Sequence, residues 1–284
     1  MSDHDSSPGS YPAPVPPDLT HADAFVEYAC LTYQPDDSPR RRRRAETLLA
    51  AHPSLVDESF FAAVALADLA RVDRALAADA SLARRRGGSR GWAPLLYLCY
   101  TRVFPARAGH DAVAVARRLL AAGADPNSQA LFHGQYRFGA ITGALGVGES
   151  GPVAAPPHPQ ARALVELLLD AGANPNDSQG LYNTHFEPDN AWLALFVERG
   201  LSAAHRASWT DDDPTRMLDY LLGQAVKQGY LDRVALLLAQ GASAGGRDFY
   251  NQRTFVENAQ LGGHTQIAAL LNRHGAAPAV LSPG

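Results

Sequence analysis

ARRLLAAGADPN, residues 116–127, is an apolar helical run that closes on Gly-Ala and turns away through Asp-Pro-Asn. The phrase returns as VELLLDAGANPN (165–176), VALLLAQGAS (234–243) and IAALLNRHGA (267–276). Leu119 and Leu120, Leu167 to Leu169, Leu236 to Leu238, and Leu270 with Leu271 hold the same offsets ahead of the glycine. With the Val or Ile upstream they predict one buried stripe per helix. Gly123, Gly172, Gly241 and Gly275 are read as the left-handed stops of those helices, and the Pro-Asn pairs as turns. Gly241 and Gly275 lie 34 positions apart, close to a 33-residue unit, while the other intervals carry insertions or a weak copy.

A shorter helix is expected before each stripe. Thr254 to His264 runs into Thr265 to Leu271, and Leu222 to Gly229 runs into Leu231 to Gly241. Together these motifs resemble the ankyrin family, whose consensus opens T-P-L-H, passes through A-A and G-H, and ends in a leucine run with G-A-D-x-N. Ala93-Pro94-Leu95-Leu96 keeps three of the opening roles, and His264 falls where the family has a structural histidine. Phe60 to Leu82 fits the same frame through Ala63, Val72 and Leu76 but lacks the closing Gly-Ala, as a terminal copy would. The resemblance covers roughly residues 45 to 277 and is similar to divergent bacterial ankyrin proteins in which long loops interrupt the units.

The resemblance implies an all-α solenoid of about five to six helix-turn-helix units, at 57–86, 91–127, 139–176, 181–203, 217–246 and 253–277, the fourth being the least complete. Residues 1–19, rich in Pro, Ser and Asp, are expected to be a disordered lead, 20–56 a helical N-terminal cap, 57–277 the repeat domain and 278–284 a tail. For function it implies recognition of another protein, with no catalytic residue of its own to carry over.

Composition bounds the alternatives. Hydrophobic residues make up 46% and charged residues 19%, and the formal charge of -4 gives no global pull toward nucleic acid. Cys30 and Cys99 cannot form a disulfide framework, and no apolar stretch reaches a membrane span, so a monomer in a reducing cytoplasm is expected, with no membrane partner.

Four motifs could carry chemistry. Gly143 to Gly151 is glycine-rich, but no Lys follows in a phosphate-binding position, and close helix packing explains it. Asp211-Asp212-Asp213-Pro214 reads as a helix start rather than a cation site, and no histidine pair has ligand spacing, so neither a metal nor a cofactor is expected. Arg40 to Arg44, and Arg84 to Arg86 with Arg90, read as solvated helix ends without aromatic interleaving, which argues against a nucleic-acid partner. No nucleophile elbow is present.

The connecting fingers carry rings and guanidinium groups instead of short polar turns. Stacking in register would place Tyr136, Arg137, Tyr182, Asn183, His185, Tyr250 and Arg253 on one concave face, with Trp209 nearby. Tyr, Trp and Arg dominate interface energetics, so these are the expected partner-binding residues. Phe132, Phe186 and Phe249 are expected to be more buried than these polar neighbours. The alternative is a small-ligand binder or enzyme in the same groove, with Asp248 or Glu187 as base.

Overall fold

The computed structural model describes residues 18–104, 109–132, 134, 136–149, 151–207 and 215–279. The expected disordered lead up to residue 17, Trp209, the Asp211 to Pro214 run and the tail from residue 280 lie outside the described residues. Among the described residues the chain forms sixteen α-helices and one two-stranded antiparallel sheet, in keeping with an all-α class. No helix among them is long and apolar enough to cross a membrane.

The first helices are α1 (His21–Ala29), α2 (Pro39–Ala51) and α3 (Leu55–Glu58). Helix hairpins follow, built from α4 (Phe60–Ala65) and α5 (Leu69–Ala78), then α6 (Pro94–Tyr100) and α7 (Ala112–Ala121). After the strands β1 (Gln129–Phe132) and β2 (Tyr136–Gly139) come α8 (Ala140–Leu145), the short α9 (Gly151–Ala154) and α10 (Ala161–Asp170). The chain ends with α11 (Ser178–Asn183), α12 (Ala191–Glu198), α13 (Met217–Gln228), α14 (Leu231–Ala239), α15 (Phe255–Leu261) and α16 (Thr265–Arg273). The short helices α4, α6, α8, α11 and α15, with the longer α13 between the last two, pack on one another in the order α4, α6, α8, α11, α13, α15. Behind them α5 packs on α7, α7 on α10, and α14 on α16. Between α10 and α14, α12 is tied on by the Asp170–Arg199 ion pair and by Arg233, which reaches Asn190 and two carbonyls beside it.

The helix ends follow from the recurring phrase. Gly123, Gly172, Gly200, Gly241 and Gly275 adopt φ of 91°, 94°, 97°, 91° and 90°. Each glycine N–H donates to the carbonyl three residues back, and the next N–H to the carbonyl five back, as in Ala124 to Leu119 at 2.9 Å and Leu201 to Phe196 at 2.8 Å. These paired bonds satisfy the last orphan carbonyls only with a left-handed residue at the stop. The same device joins α4 to α5, but there the left-handed residue is Ala67, at φ 55°. Six of the ten leucines of the expected stripe are buried, Leu119, Leu168, Leu169, Leu237, Leu238 and Leu271, whereas Leu120, Leu167, Leu236 and Leu270 are only partly so. In each run one leucine lies toward the flank, while its buried neighbour or neighbours point into the layer between helices.

A side-chain ladder links successive turns. Asn127 donates from Nδ2 to Gly172 O at 3.0 Å and accepts from Asn174 N at 2.8 Å. One turn later Asn176 accepts from Ser202 N at 2.8 Å. The next equivalent position is Ala204, which has no amide, and an ion pair substitutes for it. Arg216 donates to Gly241 O at 3.3 Å, and Asp219 accepts from Ser243 N at 2.7 Å. Arginine supplies the donor and aspartate the acceptor that a single asparagine combines elsewhere.

Four arginines here hold carbonyls that the hairpin geometry leaves over. Arg102, 4% exposed, donates to Pro156 O (2.6 Å), Cys99 O (3.0 Å), Thr101 O (2.6 Å) and Gly143 O (2.6 Å). Burial lowers its pKa to about 10, which leaves it cationic at neutral pH. Arg90 lies 4.6 Å over Trp92 and bonds Leu31 O and Glu27 O at the end of α1. Arg41 and Arg42, expected to be solvated, instead bond Glu27 O and the carbonyls of Val153 and Ala154; Arg40, Arg43 and Arg44 are exposed as expected.

Candidate functional site

The predicted site residues divide into two groups. Tyr136 and Arg137 stand on the β-hairpin, where Phe132 faces Tyr136 and Leu131 faces Arg137 in register. Alternation turns Ala130, Phe132 and Phe138 inward and leaves Arg137 exposed beside a cleft of about 490 Å³, lined also by Asn127, Gln129, Asn174 and Asp177. Tyr136 is partly buried against the core.

Asn183 and His185 are not exposed as predicted: they are 4% and 6% accessible. Asn183 donates to Gly146 O at 2.9 Å and to Tyr33 Oη at 3.3 Å, and accepts from Gln179. The Gly146 carbonyl is open to it because Gly146, Val147 and Gly148 run with φ of 66°, 58° and 83°, which takes the chain out of helix. Close packing, the role expected for this glycine run, holds at Gly143, where a Cβ would lie 2.2 Å from the Tyr100 ring. His185 bonds Tyr182 O at 2.6 Å through Nδ1, and burial lowers its pKa to about 4.

Sequence reading missed Tyr33. It stands between α1 and α2 at φ 53°, and its ring lies edge-on to Tyr100 (6.2 Å), Phe132 (6.2 Å) and Phe138 (5.3 Å). Its hydroxyl donates to Thr142 O at 2.9 Å. Tyr33 therefore packs between the end of α6, the β-hairpin, α8 and Asn183 of α11. No local signal marks this, since the contacts span between 67 and 150 positions of sequence.

The second group forms a chain of rings. Tyr182 meets His185 (4.7 Å), Phe186 (5.4 Å) and Tyr220 (5.9 Å); Tyr220 meets Phe249 (6.1 Å) and Tyr250 (6.2 Å). Tyr182 donates to Glu149 at 2.6 Å, and the Tyr220 and Tyr250 hydroxyls are 3.2 Å apart. Burial, then these hydroxyl bonds, raise the pKa of Tyr182 and Tyr220 well above the usual phenol value. Lys227 Nζ lies 5.0 Å over the Tyr250 ring and 2.9 Å from Asp248 Oδ2. Phe186 is partly exposed while Asn183 and His185 are buried, which reverses the expected order there, whereas Phe249, 41% exposed, is more covered than Tyr250 at 62%, as expected. Phe132, at 7%, is buried as expected. Arg253 is exposed on the loop that carries Phe249 and Tyr250. Tyr220, the link between the two tyrosines, sits in the apolar run MLDYLLGQAV and reads there as core.

Asp248, one candidate base, is 1% exposed, receives the N–H groups of Tyr250 and Asn251 at 3.0 Å each, and faces Lys227 rather than a histidine. Glu187, the other, is exposed at a cleft of about 280 Å³ with Asp189, Thr184 and Trp192. Among the described residues no group of three or more His, Cys, Asp or Glu is placed to hold a metal ion. Cys30 and Cys99 are buried, and burial pushes both thiols up to about 12. No protein-family model matches the chain, and a search of curated proteins finds no match to it.

Proposed function

We propose that this chain is a non-catalytic, intracellular ankyrin-type scaffold of six helix hairpins that binds another protein through the fingers and short helices of its C-terminal half. The ordered packing of short helices, five identical glycine stops and the amide ladder support the stack. The single observation that carries the function is the exposed end of the ring chain, Phe249 and Tyr250 at 41% and 62%, held by Tyr220 and Lys227. Rings fixed by neighbours lose little conformational freedom when a partner covers them, so their apolar area converts efficiently into affinity. Buried, protonated thiols fit a reducing compartment.

The test pairs affinity capture with a fold control. Phe249→Ala with Tyr250→Ala is expected to lose one stoichiometric partner protein while the thermal midpoint stays within about 3 °C, as surface truncations away from core features cost little. Equal recovery by the wild type and the variant would reject the reading.

A further inference from the structure

We infer that residues 31–37 are a built-in ligand of the recognition face, and that the cleft beneath Tyr33 accepts a tyrosine carried on a tight acidic turn of a partner peptide. The inference rests on the proposed reading that the short-helix row is the recognition face. The cleft is specific for a phenol. Tyr100, Phe132 and Phe138 surround the ring, the Thr142 carbonyl accepts the hydroxyl proton, and Asn183 Nδ2 donates to the hydroxyl oxygen. A phenylalanine in the same place would leave the Thr142 carbonyl without its hydroxyl donor.

Leu31, 3% exposed, anchors the segment through its N–H to Tyr100 O (2.9 Å), and residues 32–37 beyond it close on themselves rather than entering a helix. Asp37 accepts from Thr32 N (3.0 Å), Tyr33 N (2.7 Å) and Thr32 Oγ1 (2.9 Å), and Arg41 meets Asp36 and Asp37. Two local costs are stored in it and a third in the loop it packs on. Tyr33 is a bulky residue held at φ 53°, in the left-handed region that L side chains rarely adopt. The Asp37 carboxylate is 5% exposed, and burial raises its pKa despite those donors. Val147, β-branched, holds φ 58° in the loop whose Gly148 faces the Tyr33 ring at 3.4 Å from its own Cβ position. Strain of this kind on both sides of one contact favours local opening over global unfolding. Gln34, Pro35 and Asp36 are exposed, so a displacing segment has a point of entry.

The test uses the full chain and a labelled peptide Leu-Thr-Tyr-Gln-Pro-Asp-Asp, the sequence of residues 31–37, in fluorescence anisotropy. The Tyr33→Ala protein is expected to bind it at least about tenfold more tightly than the wild type, whose own segment competes at high effective concentration. The same peptide with Phe for Tyr should bind the variant about tenfold more weakly. Absence of binding to a folded Tyr33→Ala protein, or equal binding of the Tyr and Phe peptides, overturns the inference. Should Tyr33→Ala fail to fold, hydrogen exchange of the wild type decides. The Thr32 and Tyr33 amides are expected to exchange about a hundredfold faster than the α7 amides, and protection equal to α7 would make the segment ordinary core. Capture through Tyr250 does not depend on the peptide, so the two readings can fail separately.

Discussion

Replacing Arg102 with Met tests whether a single buried cation ties the end of α6, α8 and the Pro156 turn together. The guanidinium donates four bonds of 2.6 to 3.0 Å to carbonyls at the end of α6, in α8 and at Pro156. These carbonyls have no spare helical donor: Val147 N is bonded to Ala155 O, and Val103 N to Thr101 Oγ1. Each orphaned carbonyl costs about 1–3 kcal/mol, and relief of the buried charge offsets several kcal/mol of that sum. The net loss is about 3–5 kcal/mol, or roughly 10 °C in thermal midpoint for a chain of this size. Arg102→Lys should recover less than half, because a compact ammonium with three donors cannot span a fork-shaped set of four acceptors. Urea unfolding followed by far-ultraviolet circular dichroism, with calorimetry for the midpoint, measures both variants. An Arg102→Met protein that melts within about 2 °C of the wild type would refute the reasoning, since surface-level effects are of that size.

Ala67→Gly removes a left-handed alanine at the α4–α5 turn and should stabilise by about 0.5–1 kcal/mol, while Gly229→Ala should destabilise by more than about 1 kcal/mol, because a Cβ there would lie 2.6 Å from the His264 ring; urea midpoints check both. Asn127→Ala breaks the first rung of the ladder and should cost about 1–2 kcal/mol, with Asn127→Asp intermediate because it keeps the acceptor and loses the donor. Burial lowers His158 to about 3 and His185 to about 4, both below the ordinary 6.5. The unfolded chain then binds more protons, so stability is full above about pH 6.5 and falls toward pH 3–4, by about 2 kcal/mol per histidine at pH 5. Thermal midpoints from pH 7 to 5 should fall, and His158→Asn, whose amide oxygen can replace Nδ1 as acceptor for Gln160 N, should flatten the slope; an unchanged slope would reject the assignment.

The helices and their stops were legible because local chemistry decides them. A leucine run before Gly-Ala needs only its own backbone to end at a left-handed glycine, and Gly200 behaves like the others although its neighbourhood is atypical. What was not legible depends on which way a residue faces after the chain has turned. Asn183 and His185 sit where α11 tightens into a 3-10 turn, so the polar side chains swing inward and Phe186 stays partly outside. Arg41, Arg42 and Arg90 read as solvated charge because their acceptors are carbonyls, which a sequence does not display. Tyr33 escaped notice for the same reason: its meaning lies in residues about a hundred positions away. The Arg216–Asp219 pair at the place of the missing asparagine shows one function carried by two unrelated side chains.

The most direct measurement replaces Tyr250 with a photo-crosslinking benzoylphenylalanine in the native cell, beside a control at Leu261, which is 56% exposed at the end of α15. The account predicts one discrete, stoichiometric adduct from position 250 and none from position 261. Absence of an adduct at 250, or the same adducts from both positions, would contradict it.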